Sequence, residues 1–544
     1  MQNKINRRSF VGGAALGATS ILGGALNQAL AANAKDGSAQ GPVANTTSGK
    51  VRGVVQENKV NAFRGIPYGA PTGGADRFMP PVKPEAWTGI KETVEWGPEA
   101  PQGPHTEIPE VAATIPKLAI GEDCLHLNVW TNGLDSRKRP VMLWLHGGGF
   151  ASGNGSYSMY DGANMARKHD VVTVTINHRL NSFGFLYLAD IGGEKFKNAT
   201  NCGMLDAVAA LEWVRDNIAN FGGDPNRVMI YGQSGGGSKV TTLLGMPSAV
   251  GLIHRASIQS GGGGNPPGAD ASREFARQVM SELNLGPRDI ASLQKMEWAK
   301  LNAAANAVAL KMNGPLPAGR GPGSPTGAPR VGSGPTVDGR IITIRSFNEA
   351  IADSAKNIPI LIGSVSEEGN SMGSRPTEEQ WRATLARVWG DAKGKTLADA
   401  MIKKYPKKSI RLLSYGVNGI SSRNNVTRMA TLKSNQRGAP IYAYYFTWQS
   451  PMLEDAGAWH TAELAFCFDN TKRCEQGTGN TIEAQALARK MATAWANHAK
   501  TGNPSQPGLV WTPFDPAKCS TMVWDNECRM VNDPEGDLRK ILLA

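Results

Sequence analysis

The sequence lacks the short motifs that bind metals, phosphates and dinucleotides. It contains no H-E-x-x-H pair, no phosphate-binding loop and no dinucleotide fingerprint, and none of its 6 cysteines forms a C-x-x-C pair. The formal net charge is +12, but the basic residues form neither a run nor a stripe studded with aromatic side chains. This charge is therefore predicted to be solvated surface. We expect no metal, no organic cofactor and no nucleic-acid partner.

The N-terminal segment lacks the hydrophobicity of a membrane anchor. Asn6–Val11 is a twin-arginine pattern, and a weakly apolar, glycine-rich stretch follows it to about Leu26. Two A-x-A-like cleavage sites follow, Ala29–Ala31 and Ala32–Ala34. We predict a twin-arginine export signal over residues 1–34, which meets the export machinery transiently and is removed from a bacterial periplasmic or secreted protein. A retained anchor is the alternative, but a stable span would need a more hydrophobic stretch.

Six apolar runs alternate with helical stretches in the rest of the chain. This alternation predicts a mostly parallel sheet covered by helices on both faces, an α/β fold. One helix is predicted where apolar residues recur at helical intervals from Leu205 to Ile218. The predicted strands are Val141–Leu145, Val171–Ile176, Val228–Tyr231, Ala256–Gln259, Ile358–Ile362 and Ile441–Phe446.

The segment Tyr231–Gly236 reads Y-G-Q-S-G-G and places Ser234 between a predicted strand and a helix start. Such a turn strains the serine backbone and needs glycines beside it, a condition that Gly232 and Gly236 meet. The turn would lift the hydroxyl clear of the sheet and aim the next N–H groups at a developing oxyanion. Because the chain has 64 glycines, the motif alone could arise by chance.

A second motif strengthens this interpretation. His146–Phe150 reads H-G-G-G-F and directly follows the apolar strand Val141–Leu145. The glycine run, Gly147–Gly149, can point successive N–H groups into one site, and each such donor typically contributes about 3 to 4 kcal/mol to reactions that pass through an oxyanion. A flexible loop is the alternative. Together the two motifs indicate a nucleophile and a group of donors that stabilises the oxyanion.

A serine nucleophile also needs a histidine and an acid. In hydrolases that carry a serine on such a strand-to-helix turn, the chain order is Ser, acid, His, and the acid should follow a later strand. Ile358–Ile362 is such a strand, and Glu367 and Glu368 follow it. We predict Glu368 as the carboxylate that orients the imidazole, with Glu367 as the rival.

Two histidines lie further along the chain. His498 ends a helix-periodic segment and is predicted to be structural, whereas His460 lies in a loop that opens a short helix. Loops at strand ends carry catalytic side chains. We therefore predict Ser234 as the nucleophile and His460 as the general acid and base.

The chain resembles the type-B carboxylesterase and cholinesterase branch of the α/β-hydrolases along essentially its whole length after the predicted signal. The order and spacing of many short segments carry the resemblance, which implies the α/β-hydrolase fold. Since the predicted triad spans Ser234 to His460, residues 35–544 should form a single domain. The matching segments are Phe63–Tyr68, Arg77–Pro81, Glu122–Trp130, Asn177–Leu180, Phe221–Pro225 and Gln259–Gly261.

The resemblance, carried over position by position, implies the same triad of Ser234, Glu368 and His460. It also implies that Arg64 and Glu122 form a buried, structural ion pair. The remaining implied roles are an oxyanion hole formed by the N–H groups of Gly148, Gly149 and Gly235, and a hydrogen bonder near the histidine, Ser260.

The chain departs from the family pattern around each residue of the predicted triad. Gln233-Ser234-Gly235 stands where Glu-Ser-Ala is usual, and Thr461 replaces a glycine. The acid loop reads Ser-Glu-Glu-Gly in place of Asn-x-Asp-Glu-Gly, which keeps Glu367 open as the rival acid. We expect the chemistry to survive these changes and the substrate preference to shift.

Cysteine usage departs as well. Cys124 fits a family cysteine that closes a disulfide, but Ala100 occupies the place of its usual partner. Local disulfides are predicted in an oxidising compartment, with Cys124 and Cys202 free or paired to each other. The predicted pairs are Cys467–Cys474 and Cys519–Cys528.

Two features could shape a pocket. Asn313–Pro335 is rich in glycine and proline and forms either a rim over the site or a surface loop. Four aromatic residues flank the candidate segments and could line an acyl or alcohol pocket: Phe150, Trp459, Phe466 and Phe468. Core packing explains Phe466 and Phe468 equally well.

These residues predict a hydrolase that cleaves small carboxylic esters through a covalent acyl intermediate. An amide, lactone or carbamate hydrolase with the same triad is one alternative. A non-catalytic, cholinesterase-like binding protein is another, which is disfavoured because all three triad positions are filled.

Overall fold

The computed structural model describes residues 41–106, 108–314, 330–332, 334–370 and 372–544. The predicted export signal lies outside the described residues, as do positions 315–329 and 333 of the predicted glycine- and proline-rich loop. Within the described ranges, none of the helices combines the length and the apolar character that a membrane span requires.

The described residues contain two sheets. β1, β2 and β5 form a small three-stranded sheet, and eleven strands form the large one. The strands, in chain order, are β1 (Val43–Thr46), β2 (Gly49–Arg52), β3 (Val54–Val55), β4 (Asn61–Pro67), β5 (Ile90–Glu92), β6 (His126–Thr131), β7 (Arg139–Leu145), β8 (Val172–Ile176), β9 (Gly223–Gln233), β10 (Arg255–Gln259), β11 (Ile360–Val365), β12 (Ile441–Phe446), β13 (Ser520–Trp524) and β14 (Arg529–Asn532).

The large sheet has the order β14-β13-β12-β11-β10-β9-β7-β8-β6-β4-β3. Neighbours from β8 to β13 are parallel, and the edges on both sides are antiparallel. The six strands predicted from sequence are β7 to β12, which confirms a mostly parallel α/β sheet. The antiparallel edges were not predicted, because their strands are short or carry polar residues and lack a continuous apolar run.

Helices alternate with the strands. The described α-helices are α1 (Pro109–Ala112), α2 (Ala163–His169), α3 (Asn181–Phe185), α4 (Cys202–Asn217), α5 (Gly235–Leu244), α6 (Ala269–Glu282), α7 (Ile290–Lys295), α8 (Trp298–Asn313), α9 (Glu378–Trp389), α10 (Asp391–Lys404), α11 (Ile410–Asn435), α12 (Leu464–Cys467), α13 (Glu475–Thr478), α14 (Ile482–Thr501) and α15 (Gly536–Leu543). Of these, α4 and α14 pack against opposite faces of the large sheet.

The central strands are buried on both faces. In β7, Val141 and Leu143 pack into one apolar cluster with α4, whereas Met142 and Trp144 pack into another with α14. Successive side chains of a strand point to opposite faces, so a continuous apolar run suits a strand that lies between two helical layers. This burial explains why the six runs could be recognised in the sequence.

The predicted disulfides are absent from the structure. All six cysteines are described, and all are free thiols. Several sulfurs have separate partners: Cys519 Sγ lies 3.7 Å from Pro516 O, and Cys528 Sγ lies 3.2 Å from Asp525 O. Closeness along the chain does not make two side chains point toward each other, so spacing alone misled the prediction.

The predicted ion pair also needs correction. Glu122 pairs with Arg77, not with Arg64: Arg77 Nε donates to Oε1 at 2.7 Å and its NH2 group donates to Oε2 at 2.5 Å. Arg77 also donates to the main-chain oxygens of Leu293 and Met296, which hold its guanidinium beside Glu122. Arg64 instead lies over the Trp96 ring, at 4.6 Å from the ring centroid.

Candidate active site

The predicted site residues lie just beyond the carboxyl ends of parallel strands in the large sheet. The glycine run follows β7, Ser234 follows β9, Glu368 follows β11, and His460 lies between β12 and α12. The carboxyl ends of parallel strands lie along the same side of a sheet, and ligand sites of open α/β sheets form there. The topology therefore gathers segments that lie far apart in the chain.

Ser234 occupies the strained turn that the sequence predicted. Its backbone has φ 58° and ψ −122°, a combination that side-chain-bearing residues rarely adopt. Two hydrogen bonds hold the turn: Ser234 N donates to Gln259 O at 2.8 Å, and Ser238 N donates to Ser234 O at 3.1 Å. A Cβ atom at Gly236 would lie 2.0 Å from Leu145 O, so the close packing requires glycine there.

The glycine run packs directly against the start of α5. Gly148, Gly149 and Phe150 all have positive φ angles, of 85°, 61° and 66°. A Cβ atom at Gly235 would lie 2.5 Å from Gly149 N, so the run lies too close to the strand-to-helix turn at Ser234, hereafter the elbow, to leave room for a side chain at Gly235. Gly149 therefore lies against the residue that follows Ser234. Among the described residues, the N–H groups of Gly148, Gly149 and Gly235 have no acceptor.

His460 and Glu368 are brought together. His460 Nδ1 and Glu368 Oε2 form a short hydrogen bond, and the Glu368 side chain is 8% exposed whereas that of His460 is 34% exposed. Burial lowers the pKa of His460, but the charge of Glu368 and the hydrogen bond outweigh it, so the pKa is raised overall. A ring whose Nδ1–H donates to Glu368 keeps a lone pair on Nε2, as a general base requires.

The other side of the imidazole faces Gln233. His460 Nε2 lies 3.1 Å from Gln233 Nε2, and the described residues show no hydrogen bond between His460 and Ser234 Oγ. The imidazole thus lies beside the residue that precedes the predicted nucleophile. The role of Ser234 stays a prediction.

Glu367 has a different set of partners. It is fully buried; Lys408 Nζ pairs with its Oε1, while Ala458 N at 2.9 Å and Gln449 Nε2 at 3.2 Å donate to its Oε2. Because Ala458 belongs to the segment that carries His460, Glu367 ties the acid loop to that segment. The imidazole itself contacts Glu368.

The remaining predicted residues divide by their surroundings. Ser260 follows β10, but its Oγ is buried without a hydrogen-bond partner, so the implied bond near His460 is not formed. His498 is fully buried in α14, with Nε2 3.2 Å from Ala256 O, as expected of a structural histidine.

The aromatic residues also divide. Phe466 packs on Phe446 and Trp448, and Phe468 packs on Trp144, Tyr160 and Tyr231, so core packing accounts for both. The side chains of Phe150 and Trp459 are mostly buried, with 8% and 4% of their surface exposed.

Two buried ionisable residues near the site were not predicted. Lys239 is fully buried in α5, and Glu463 is fully buried with neither carboxylate oxygen hydrogen-bonded. Burial, and then the charge of Glu368, raise the pKa of Glu463 to about 7. The one available sequence signal is that Lys239 interrupts a helix otherwise composed of small and apolar residues. Within the described ranges, no group of three or more His, Cys, Asp or Glu could hold a metal ion.

Comparison with known proteins agrees with the fold. Residues 40–535 match the carboxylesterase family. The chain is 31% identical to para-nitrobenzyl esterase of Bacillus subtilis over 502 residues, which cover 92% of this chain and 98% of that protein. It is 33% identical to phenmedipham hydrolase of Pseudarthrobacter oxydans, over 88% of this chain and 94% of that protein.

A solved structure gives the same result. An esterase from Clostridium hathewayi, described as able to hydrolyse aliphatic aromatic polyesters, matches with a TM-score of 0.78 and 32% identity. The match covers 92% of this chain and 98% of that one. The chain therefore belongs to the carboxylesterase family and is a carboxylic ester hydrolase of the α/β-hydrolase fold.

Proposed function

We propose that the enzyme cleaves small-molecule esters in two acyl-transfer steps through Ser234, His460 and Glu368. In the first step, Ser234 Oγ attacks the ester carbonyl carbon while His460 Nε2 takes its proton. The carbonyl oxygen becomes an oxyanion and accepts hydrogen bonds from the glycine run and Gly235. Collapse of this intermediate breaks the bond to the alcohol, which leaves with the proton from His460.

The second step repeats the first with water. His460 removes a proton from water, the hydroxide attacks the acyl-enzyme, and collapse returns the proton to Ser234 and releases the acid. Glu368 orients the ring and stabilises the imidazolium in both steps. For proton transfer to occur, His460 Nε2 must exchange its contact with the Gln233 amide for one with the serine hydroxyl.

The observation that carries this proposal is the packing of the glycine run against Gly235, beside Ser234, at the carboxyl ends of the strands where Glu368 also holds the imidazole of His460. The test compares wild type with Ser234→Ala on short p-nitrophenyl esters, together with labelling by an organophosphonate. We expect turnover and labelling in the wild type, and loss of both in the variant at unchanged melting temperature. Full activity of the variant would exclude Ser234 as the nucleophile.

The ester preference can be tested against the related acyl groups. Matched amides, lactones and carbamates present the same carbonyl carbon to the serine, so the triad alone does not discriminate among them. We expect esters to have the highest kcat/KM. Faster cleavage of a matched amide would assign the enzyme to the other class.

We also propose export through the twin-arginine route, which rests on the Asn6–Val11 pattern. Replacing Arg7 and Arg8 by lysine should leave the activity in the cytoplasm of a bacterial host, whereas the unaltered chain should reach the periplasm or the medium. Equal export of both chains would contradict this proposal.

A further inference from the structure

Lys239 is an unexpected residue in its position. It lies in α5, whose first residue follows Ser234, and its side chain is fully buried. A buried helix face normally carries apolar side chains, and lysine is almost never fully buried without a partner of opposite charge. No carboxylate among the described residues forms an ion pair with Lys239, so packing alone does not explain the ammonium group.

The contacts of Lys239 lie at both ends of the glycine run. Its Nζ donates to His146 O at 2.9 Å, and the same nitrogen lies 4.8 Å from the centroid of the Phe150 ring. His146 precedes the run and Phe150 follows it. One side chain therefore holds the residue before and the residue after the three glycines.

The segment needs such support. Gly148, Gly149 and Phe150 have consecutive positive φ angles, a conformation that persists only when the surrounding structure fixes it. Glycines restrict the backbone least of all residues. Backbone hydrogen bonds hold part of the run, since Ala151 N donates to Gly148 O at 3.0 Å and Asn181 N donates to Phe150 O at 2.8 Å. The two contacts of Lys239 add a hydrogen bond at His146 and a cation–π contact at Phe150.

The titratable groups that face Lys239 are two histidines from the ends of β7 and β8. The rings of His146 and His178 stack on each other at 4.8 Å, and burial, followed by the charge of Lys239, keeps the pKa of both well below its usual value. Burial lowers the pKa of Lys239 to about 7. Both the ammonium and the neutral amine can donate to His146 O, so the hydrogen bond survives either state, whereas the cation–π contact with Phe150 requires the ammonium.

We propose that Lys239 is a positioning residue for the oxyanion hole, which fixes the glycine run so that its N–H groups face the substrate oxygen. This inference rests on the proposed function, because the run acts as an oxyanion hole only if Ser234 is the nucleophile. The residue touches neither the substrate nor the reacting atoms and acts through the backbone of the run.

The test is Lys239→Met, which keeps the length and volume of the side chain and removes the donor. Removal of a whole oxyanion donor costs about 10²- to 10³-fold in kcat, so a displaced run should cost about 10- to 100-fold. We expect this fall in kcat, with KM changed less than about threefold, since ground-state binding does not require the run. Phosphonylation of Ser234 should slow in parallel, and amide exchange of His146–Phe150 should accelerate.

The matched control is Lys433→Met. Lys433 is also fully buried and donates to the main-chain oxygens of Ala355 and Lys356, in α11, away from the catalytic segments. We expect this variant to keep the wild-type kcat, although its stability changes. Unchanged kcat and exchange in Lys239→Met would overturn the inference, as would equal losses in both variants that follow their melting temperatures. A wild-type enzyme without turnover or Ser234 labelling would instead overturn the proposed function, and the inference with it.

Discussion

The two adjacent carboxylates of the acid loop have different partners, so their loss should have different effects. Glu368 contacts the imidazole of His460, whereas Glu367 pairs with Lys408 and binds the backbone of Ala458. Both residues lie in the loop that follows β11, where their side chains reach different neighbours. These contacts favour the proposed catalytic role for Glu368 and a structural role for Glu367.

We predict that Glu368→Gln lowers kcat/KM by about 10³- to 10⁴-fold, because the imidazole loses the carboxylate that orients it and stabilises its charge. Glu368 raises the pKa of His460, and the reaction requires the neutral ring. The acid limb of the wild-type profile should thus lie above the ordinary histidine pKa, and any residual activity of the variant should have its limb at lower pH. Profiles of kcat/KM against pH test this.

Glu367→Gln is the matched comparison for this prediction. It leaves Lys408 without its partner and should lower the free energy of unfolding by about 1 to 3 kcal/mol, with a much smaller fall in kcat/KM. A larger loss of activity in Glu367→Gln than in Glu368→Gln would reverse the two assignments.

Glu463 should make stability depend on pH. Its pKa is about 7 in the folded protein because of burial and the charge of Glu368, against an ordinary value of 4.5. Between these values the folded chain retains a proton that the unfolded chain has lost, so stability falls as pH rises, by up to about 3 kcal/mol. Glu463→Gln removes this pH-dependent loss of stability. The stability of the variant relative to wild type should therefore increase from pH 5 to pH 8. Urea unfolding across this range tests it, with the exposed Glu57→Gln as a control that should show no such trend.

The contact between the glycine run and the start of α5 depends on a glycine at position 235. Gly235 stands where the family usually has alanine, yet a Cβ atom there would lie 2.5 Å from Gly149 N. In this chain the two segments are therefore closer than an alanine permits. The departure at the elbow and the position of the run belong together.

We predict that Gly235→Ala displaces the run and lowers kcat/KM by about 10- to 100-fold, since small misplacements of catalytic groups are costly. Overpacking should also lower the free energy of unfolding by about 1 to 3 kcal/mol. The control is Gly416→Ala in α11, where the new atom would meet only the flexible end of Met401, at 3.0 Å. Wild-type activity in Gly235→Ala would show that the run has room to retreat.

The sequence predicted some elements far better than others. β7 to β12 were recognisable because a strand buried on both faces leaves a continuous apolar run, and the elbow because strained turns need glycine. Arg77 was missed as the partner of Glu122, and the disulfides were predicted where none forms. Such pairings depend on how distant loops pack together and on the directions of the side chains, and residue spacing determines neither.

A buried ion pair joins segments that are remote in the chain. Arg179 follows β8 and binds Asp206 of α4 through two hydrogen bonds of 2.9 and 2.6 Å, while its third nitrogen donates to Met79 O at 2.7 Å. Both side chains are essentially inaccessible to solvent. The pair therefore links the N-terminal region to the helix that precedes the elbow.

We predict that Asp206→Asn lowers the free energy of unfolding by about 3 to 5 kcal/mol, because it leaves the arginine charge buried and uncompensated. Denaturant unfolding at neutral pH measures this. Glu92→Gln, which breaks the exposed pair with Arg52, is the control and should change stability little. Equal effects of the two variants would mean that burial does not set the strength of this pair.

The position of β9 affects how the enzyme should lose activity on heating. β9 is the sixth of the eleven strands and has a parallel neighbour on each side, β7 and β10. Amide protons in such a strand exchange with solvent only when the whole domain unfolds, whereas loops open locally at a lower cost in free energy. Heat should therefore detach the histidine-bearing loop while the serine turn is still intact. Early thermal inactivation would then be reversible on cooling, and only later losses would require refolding of the whole chain.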